Sequence, residues 1–167
     1  MNEETDYLVS EVPFIPDDGL CFVNEIELSF RPVYPKMEQS VIKKTEDSYK
    51  ALFPFYEGLI NIQELFVVLY LNRSNKIIGI YSASKGGITG TVADIRLILS
   101  VGLKCLATAM IISHNHPSGS LTPSPQDEHL TAKIKQAAEL MEIRLLDHVI
   151  IIAENGRFFS FAEEGLL

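Results

Sequence analysis

The chain has 167 residues, of which 47% are hydrophobic and 22% charged, and its net charge is −8. This length and apolar content suffice for one hydrophobic core but are too small for two ordinary domains. Of its 22 acidic residues, 12 lie within residues 1–60. No segment has the basic character that neutralises phosphates, so direct nucleic-acid binding is not expected.

The first residues and the cysteines predict a cytoplasmic protein that does not enter a membrane. The N-terminus is acidic, whereas a secretory signal is basic and then apolar, and no apolar run is long enough to span a bilayer. Cys21 and Cys105 belong to no C-x-x-C pair. Neither a disulfide framework nor a cysteine zinc site is therefore expected.

In chain order, residues 1–36 are predicted to be an N-terminal extension and residues 37–167 the domain. The extension contains the segment CFVNEIELSF, which is typical of a peripheral strand or hairpin. The apolar spacing over residues 40–56 predicts a first helix. The run Leu65–Leu71, the turn NRSNK and the segment Ile77–Ser82 then predict a hairpin whose first strand is buried.

A glycine-rich loop and a helix are predicted to follow the hairpin. The loop covers Ser84–Thr91, and Thr91 with Asp94 has the spacing of a capping box that opens a helix through about Leu103. Residues Ala107–Ser113 are apolar and predict the next strand.

A longer helix is predicted to begin after Ser124, which suits the N-cap, with Pro125 at the first position and Asp127 at the third. Two more strands are predicted near residues 144–153 and 157–161. Strands that alternate with helices indicate an α/β domain with a mixed β-sheet flanked by helices. The predicted apolar face of the long helix consists of Leu130, Ile134, Ala137 and Met141.

Two histidines and an aspartate have the spacing of a metal site. Side chains two apart at a strand end point the same way, so His114 and His116 would face one point while Asn115 faces away. Asp127 would bring a carboxylate in the first turn of the next helix, where the helix dipole favours it. Two imidazoles and one carboxylate leave one tetrahedral position for water, as in catalytic zinc sites. We therefore expect one Zn²⁺ per chain.

Hydrolysis also needs a group that takes a proton from water and passes it to the leaving amine. Glu64 directly precedes the buried strand, where an acidic residue adds nothing to a core, and is our candidate for this role. Simpler interpretations remain open. Histidines at strand ends are often ordinary core or surface residues, and Ser124 with Asp127 is fully explained as a helix cap.

These residues resemble a known family. Glu64, followed downstream by H-x-H-P, six residues and S-x-x-D, resembles the JAMM metalloprotease motif. The string HNHPSGSLTPSPQDEHLT, the later LDHVII and the terminal SFAEEGLL are similar to the JAB-type domain of RadC-like proteins, which are often labelled DNA repair proteins. The similarity covers residues 64–167, with a weaker likeness upstream in FVNEIELSFRP.

The resemblance implies the layered JAMM/MPN architecture, whose curved mixed sheet is similar to that of cytidine deaminases. It implies that Glu64 is the general acid/base and that Ser124 hydrogen-bonds the tetrahedral intermediate. It also implies a peptide or protein-conjugate substrate. The first 60 residues lack the helix-hairpin-helix of longer RadC proteins, which again argues against direct DNA binding. By the same resemblance, the zinc ligands are His114, His116 and Asp127.

Four further residues are candidates to contact substrate or to support the ligands. Gly86 and Gly87 belong to the glycine-rich loop and would bind an anion or a substrate backbone, although a plain turn is the simpler interpretation. Arg96 matches a family arginine and either orients this loop or Glu64, or is a surface charge. Asn115 lies between the two ligand histidines. His148, in the run LLDHVIIIA, is interpreted as a structural histidine paired within the sheet.

Two functions follow from these patterns. The complete set of glutamate, histidines, serine and aspartate favours a zinc peptidase or isopeptidase. The alternative is a non-catalytic metal-binding accessory module in DNA repair or in the DNA transactions of mobile elements.

Overall fold

The structure is a computed structural model and describes residues 40–86, 93–154 and 156–167. The predicted N-terminal extension therefore lies outside the described residues, as does Gly87. Within the described ranges, no helix combines the length and the apolar character that crossing a membrane requires.

The described residues contain one mixed sheet. Its strand order is β2-β1-β3-β4-β5, in which β3 and β4 are parallel and all other neighbours are antiparallel. The prediction of an α/β domain with a mixed sheet is thereby confirmed. The strands are β1 (Leu65–Leu71), β2 (Ile77–Lys85), β3 (Ala109–Asn115), β4 (Arg144–Ile151) and β5 (Phe158–Ser160).

The first helix is shorter than predicted at both ends. The first helix was predicted over residues 40–56 and is shorter, because Val41 pairs with Lys76 as an isolated bridge and Pro54 lies in a separate 3-10 turn. The helices are α1 (Thr45–Leu52), a 3-10 helix (Phe53–Phe55), α2 (Ile95–Lys104) and α3 (Pro125–Leu140).

The predicted capping box of α2 is wrong. Asp94 is itself the N-cap, and its carboxylate accepts a hydrogen bond from the Arg96 backbone N–H at 2.9 Å. An aspartate is as good an N-cap as a threonine, so the helix begins three residues later than the pattern indicated. Thr91 lies outside the described residues.

The helices cover the two faces of the sheet. Helices α2 and α3 pack on one face, and α1 packs on the other. On α3, Ile134 is buried as predicted, whereas Met141 is 45% exposed and the buried positions beside Ile134 are Thr131 and Ala138. Burial of each large apolar side chain stabilises the fold by about 1.5–3 kcal/mol. The core under α2 and α3 includes Val68, Tyr70, Ile98 and Ile112, and the core under α1 includes Leu52, Tyr56, Leu69 and Val149.

The connection β3–α3–β4 brings three segments to one edge of the sheet. Helix α3 starts beyond the C-terminal end of β3, as in any parallel crossover. Strand β1 runs antiparallel to β3 with Phe66 opposite His114, so Glu64 enters at the same edge. Ligand sites commonly lie at the carboxyl ends of parallel strands, and this edge is where the predicted site residues meet.

Candidate metal centre

The alternation of β3 separates the two residues that end it. The ring of His114 packs on the α2–α3 side with Phe66, and is 1% exposed. Asn115 is fully buried and bonds to the segment that precedes β1. His116 follows the strand, is partly buried and returns to the side of His114. The prediction that the histidines face one point while Asn115 faces away agrees with this placement.

The three predicted ligands converge. The Nε2 atoms of His114 and His116 are 2.9 Å apart. Asp127 places Oδ1 at 3.2 Å from Nε2 of His114 and Oδ2 at 3.6 Å from Nε2 of His116. Ligand atoms about 2.0 Å from a tetrahedral zinc ion are about 3.3 Å from one another. The three side chains therefore fit a tetrahedral metal ion and leave one coordination position for a small molecule.

Hydrogen bonds outside this triangle fix the ligands. The Ser124 backbone N–H and hydroxyl each donate to Oδ2 of Asp127 at 2.7 Å, and the hydroxyl accepts from the Asp127 N–H at 3.2 Å. The ring Nδ1 of His116 lies 2.7 Å from the Ser120 carbonyl. Since a carbonyl only accepts, Nδ1 carries a proton, and Nε2 is the nitrogen left for a metal, which would displace the proton between Nε2 and Asp127.

The charges at the centre favour a cation. Burial opposes ionisation of Asp127, but hydrogen bonds from His114 and His116 outweigh it and hold the pKa of this carboxyl far below its ordinary value. The hydrogen bond to Asp127 in turn raises the pKa of His116, against the opposing effect of burial. A carboxylate that stays ionised between two imidazoles is a suitable ligand for a divalent cation.

Glu64 lies beside the triangle and is not part of it. The ligand group contains His114, His116 and Asp127 only. Burial raises the pKa of Glu64, and the charges of the two histidines partly reverse the increase. A carboxyl group whose pKa is raised beside candidate metal ligands is the kind of group that accepts and releases protons in catalysis.

Asn115 ties down the segment that carries Glu64. Its Oδ1 accepts from the Leu65 N–H at 2.8 Å, and its Nδ2 donates to the carbonyls of Ile60 at 2.8 Å and Gln63 at 2.9 Å. One buried amide thereby holds the residues on both sides of Glu64. The sequence singled out Asn115 but did not indicate this partner segment, because the contact spans 50 residues.

The glycine loop meets the same segment. The Gly86 N–H donates to the Glu64 carbonyl at 2.8 Å, and the Gly86 carbonyl accepts from the Gln63 side chain. Gly86 therefore supports the Glu64 backbone, while a role of this loop in binding substrate stays a prediction. Arg96 is exposed and pairs with Asp94 at 2.6 Å, so it is a surface ion pair in the part of the chain that the structure describes.

Behind His114 lie a histidine that the sequence indicated as structural and paired within the sheet, and a threonine that the sequence did not single out. His148 is fully buried in β4, and its Nε2 lies 2.8 Å from Nδ1 of His114. Thr131, one turn after Asp127 in α3, contacts the other ring nitrogen of His148 at 2.5 Å. Burial lowers the pKa of His148 well below its ordinary value. Only the pairing register of β3 with β4 brings His148 next to His114. The sequence pattern of a single strand cannot indicate this contact.

Comparison with known proteins gives the family. Residues 42–166 match the family model described as "RadC-like JAB domain". The chain belongs to the RadC-like JAB domain family. The predicted family is thus confirmed, and the match begins upstream of the residues on which the resemblance rested. The candidate metal ligands of this RadC-like JAB domain lie at the C-terminal end of β3 and the start of α3.

Several relatives carry the name UPF0758 protein. One from Porphyromonas gingivalis (strain W83) is 42% identical over 153 residues, which are 91% of this chain and 66% of the relative. One from Flavobacterium johnsoniae is 43% identical over 125 residues, or 75% of this chain and 53% of the relative. One from Actinobacillus succinogenes is 44% identical over 105 residues, which are 63% of this chain and 47% of the relative. The chain therefore spans about half to two thirds of the length of these RadC-like relatives.

Proposed function

We propose that this domain is a zinc-dependent hydrolase of amide bonds, of the metallopeptidase or isopeptidase type. One observation carries the proposal: a three-ligand cluster with an open fourth position lies beside a partly buried carboxyl group, Glu64, that is not a ligand. Structural zinc sites use four protein ligands, whereas catalytic sites keep one position free. A proton-transfer group beside an open site is the combination that hydrolysis requires.

When bound, a zinc ion would polarise the amide carbonyl and lower the pKa of a water molecule toward about 7. The protein would supply the proton transfers. Glu64 accepts the proton of the attacking water and then donates it to the amine that leaves. Its raised pKa suits this exchange, because general acid/base groups work best when their pKa is close to the working pH.

Ser124 is proposed to act at the same centre in two ways. Its backbone and hydroxyl fix the carboxylate of Asp127, which keeps the ligand oxygen aimed at the histidines. The family resemblance adds a second role, in which the hydroxyl proton would turn from Asp127 to the oxygen that becomes negative during attack, while the Ser124 backbone N–H continues to hold the carboxylate. Removal of one such donor typically costs about 10²–10³ in rate.

The proposed substrate is a peptide or a protein conjugate. Support comes from the centre itself, since a metal, a proton carrier and a hydroxyl donor suit an acyl group with an amine leaving group. The net charge of −8 gives no reason to expect affinity for phosphate backbones.

The test combines metal analysis with a cleavage screen. Purified wild-type protein and the Glu64→Gln variant are both assayed for bound metal, and both are offered a peptide library together with an isopeptide-linked lysine substrate. The proposal predicts bound zinc in both proteins and cleavage by the wild type alone. Bound iron would contradict the zinc assignment, since two histidines and one carboxylate also suit Fe²⁺. Full zinc occupancy without cleavage of any substrate would favour the non-catalytic accessory module.

A further inference from the structure

His148 and Thr131 link two of the candidate ligands from behind. His148 lies in β4 opposite Ile112, so its ring shares the α2–α3 face of the sheet with His114. Its Nε2 is 2.8 Å from Nδ1 of His114, on the side of that ring away from Asp127. Its Nδ1 is 2.5 Å from the hydroxyl of Thr131, and this hydroxyl is 2.6 Å from the backbone carbonyl of Asp127.

The hydrogen atoms in this series of hydrogen bonds can point in only one direction. The Asp127 carbonyl accepts, so the Thr131 hydroxyl donates to it and must accept from Nδ1 of His148. His148 is then protonated on Nδ1, and its Nε2 is an acceptor for the Nδ1–H of His114. His114 consequently carries its fixed proton on Nδ1, so Nε2 is the nitrogen left for a metal, and it faces His116 and Asp127.

We propose that His148 and Thr131 are positioning residues for the metal centre: they hold His114 in the tautomer and ring orientation that bind metal, and couple it to the backbone of Asp127. This inference rests on the proposed metal site. A ligand histidine commonly donates its second N–H to a carbonyl or carboxylate. Here His148 accepts that hydrogen bond in place of a carbonyl or carboxylate. The series of hydrogen bonds ends at the backbone carbonyl of Asp127, which is another candidate ligand.

The packing around His148 supports a fixed ring. Phe161 stacks on it with a centroid distance of 4.5 Å and an interplanar angle of 16°. Phe66 lies 6.0 Å from His148 and 6.3 Å from His114. A fully buried imidazole in a central strand costs stability unless both nitrogens are paired, and an apolar residue would fill this position without that cost. The pair of His148 and Thr131 is therefore better explained by its orientation of His114 than by its packing in the core.

The experiment measures zinc affinity, because a merely structural role would leave it unchanged. Metal-free proteins are titrated with Zn²⁺ against a chromophoric chelator, and their thermal unfolding is recorded without metal. Thr131→Val removes the hydroxyl and keeps the shape, whereas Thr131→Ser keeps the hydroxyl. His148→Leu removes both ring nitrogens at similar volume. Thr108→Val is the matched control, since the Thr108 hydroxyl is buried near the other end of β3 and has no hydrogen-bond partner among the described residues.

We expect His148→Leu to weaken zinc binding by roughly 10- to 100-fold, the usual effect of losing a group that supports a ligand. Thr131→Val should weaken it in the same direction, while Thr131→Ser and Thr108→Val should leave it close to wild type. The inference is overturned if the Thr131→Val protein folds and binds zinc as tightly as the Thr108→Val protein. If the His148→Leu protein does not fold, the zinc affinities of Thr131→Val and Thr131→Ser alone decide the inference. Failure of the wild type to bind zinc would overturn both this inference and the proposed function.

Discussion

Glu64 is the residue on which hydrolysis depends in this account. Glu64→Gln keeps the size of the side chain but cannot transfer a proton. We expect zinc content to stay at the wild-type level, because Glu64 is not in the ligand group. The rate of cleavage should fall by about 10²–10⁴, the usual contribution of a general acid/base.

The control for this variant is Glu57→Gln, which changes an exposed glutamate on a turn before β1. Its activity and zinc content should both match the wild type. Loss of zinc from Glu64→Gln would mean that Glu64 is a ligand, and unchanged cleavage would remove it from the mechanism.

At the scale of elements, Asn115 connects β3 to the segment before β1. Asn115→Ala removes the hydrogen-bond partner of three backbone groups, the buried Leu65 N–H and the partly buried carbonyls of Ile60 and Gln63. Each buried polar group that loses its partner costs about 1–3 kcal/mol. We therefore expect a lower free energy of unfolding, measured in urea, and slower cleavage with zinc affinity close to wild type.

Asn115→Asp tests the direction of these bonds. The carboxylate can still accept from the Leu65 N–H, but it cannot donate to the two carbonyls. Asn115→Asp should therefore lower the free energy of unfolding and the rate of cleavage at least as much as Asn115→Ala does. If Asn115→Ala weakened zinc binding and left cleavage per bound zinc unchanged, Asn115 would support the ligands instead of Glu64.

Asp147 connects β4 to β5 and makes stability depend on pH. Burial raises its pKa above the ordinary 3.8, although Ser160, Ala162 and the His148 N–H all donate to it. The folded protein therefore binds this proton more tightly than the unfolded chain does. Its contribution to the free energy of unfolding is fully present below the unfolded pKa and is lost as pH rises through the folded pKa.

Asp147→Asn removes this titration. The free energy of unfolding of the variant minus that of the wild type should become more positive from pH 4 to pH 7, in urea unfolding at several pH values. A difference that is constant with pH, or that changes in the opposite direction, would show that the folded pKa of Asp147 is not raised.

The elements differ in how far local sequence determined them. Strand β1 was predicted at Leu65–Leu71, as observed, because the whole run is apolar and polar residues flank it. The start of α3 was also predicted correctly, since Ser124, Pro125 and Asp127 suit their cap positions. Helix α1 was predicted too long, because apolar spacing does not reveal that Val41 pairs with a distant strand.

At the scale of the whole molecule, the centre depends on contacts between segments far apart in the chain. The ligand set was predictable because all three members lie within 14 residues and the connection between them is short. The contacts of Asn115 with the segment before Glu64 and of His148 with His114 were not, because they follow from strand order and register. Sequence alone therefore indicated which groups come together as candidate ligands, and the fold shows what holds them.

Titration of metal-free protein with Zn²⁺ decides whether His114, His116 and Asp127 form an open metal site. The account predicts saturation at about one zinc per chain, as an open three-ligand site holds. It also predicts loss of this binding in His114→Ala and its retention in His129→Ala, which changes an exposed histidine on α3. Absence of saturable binding by the wild type, or binding that survives His114→Ala, would contradict it.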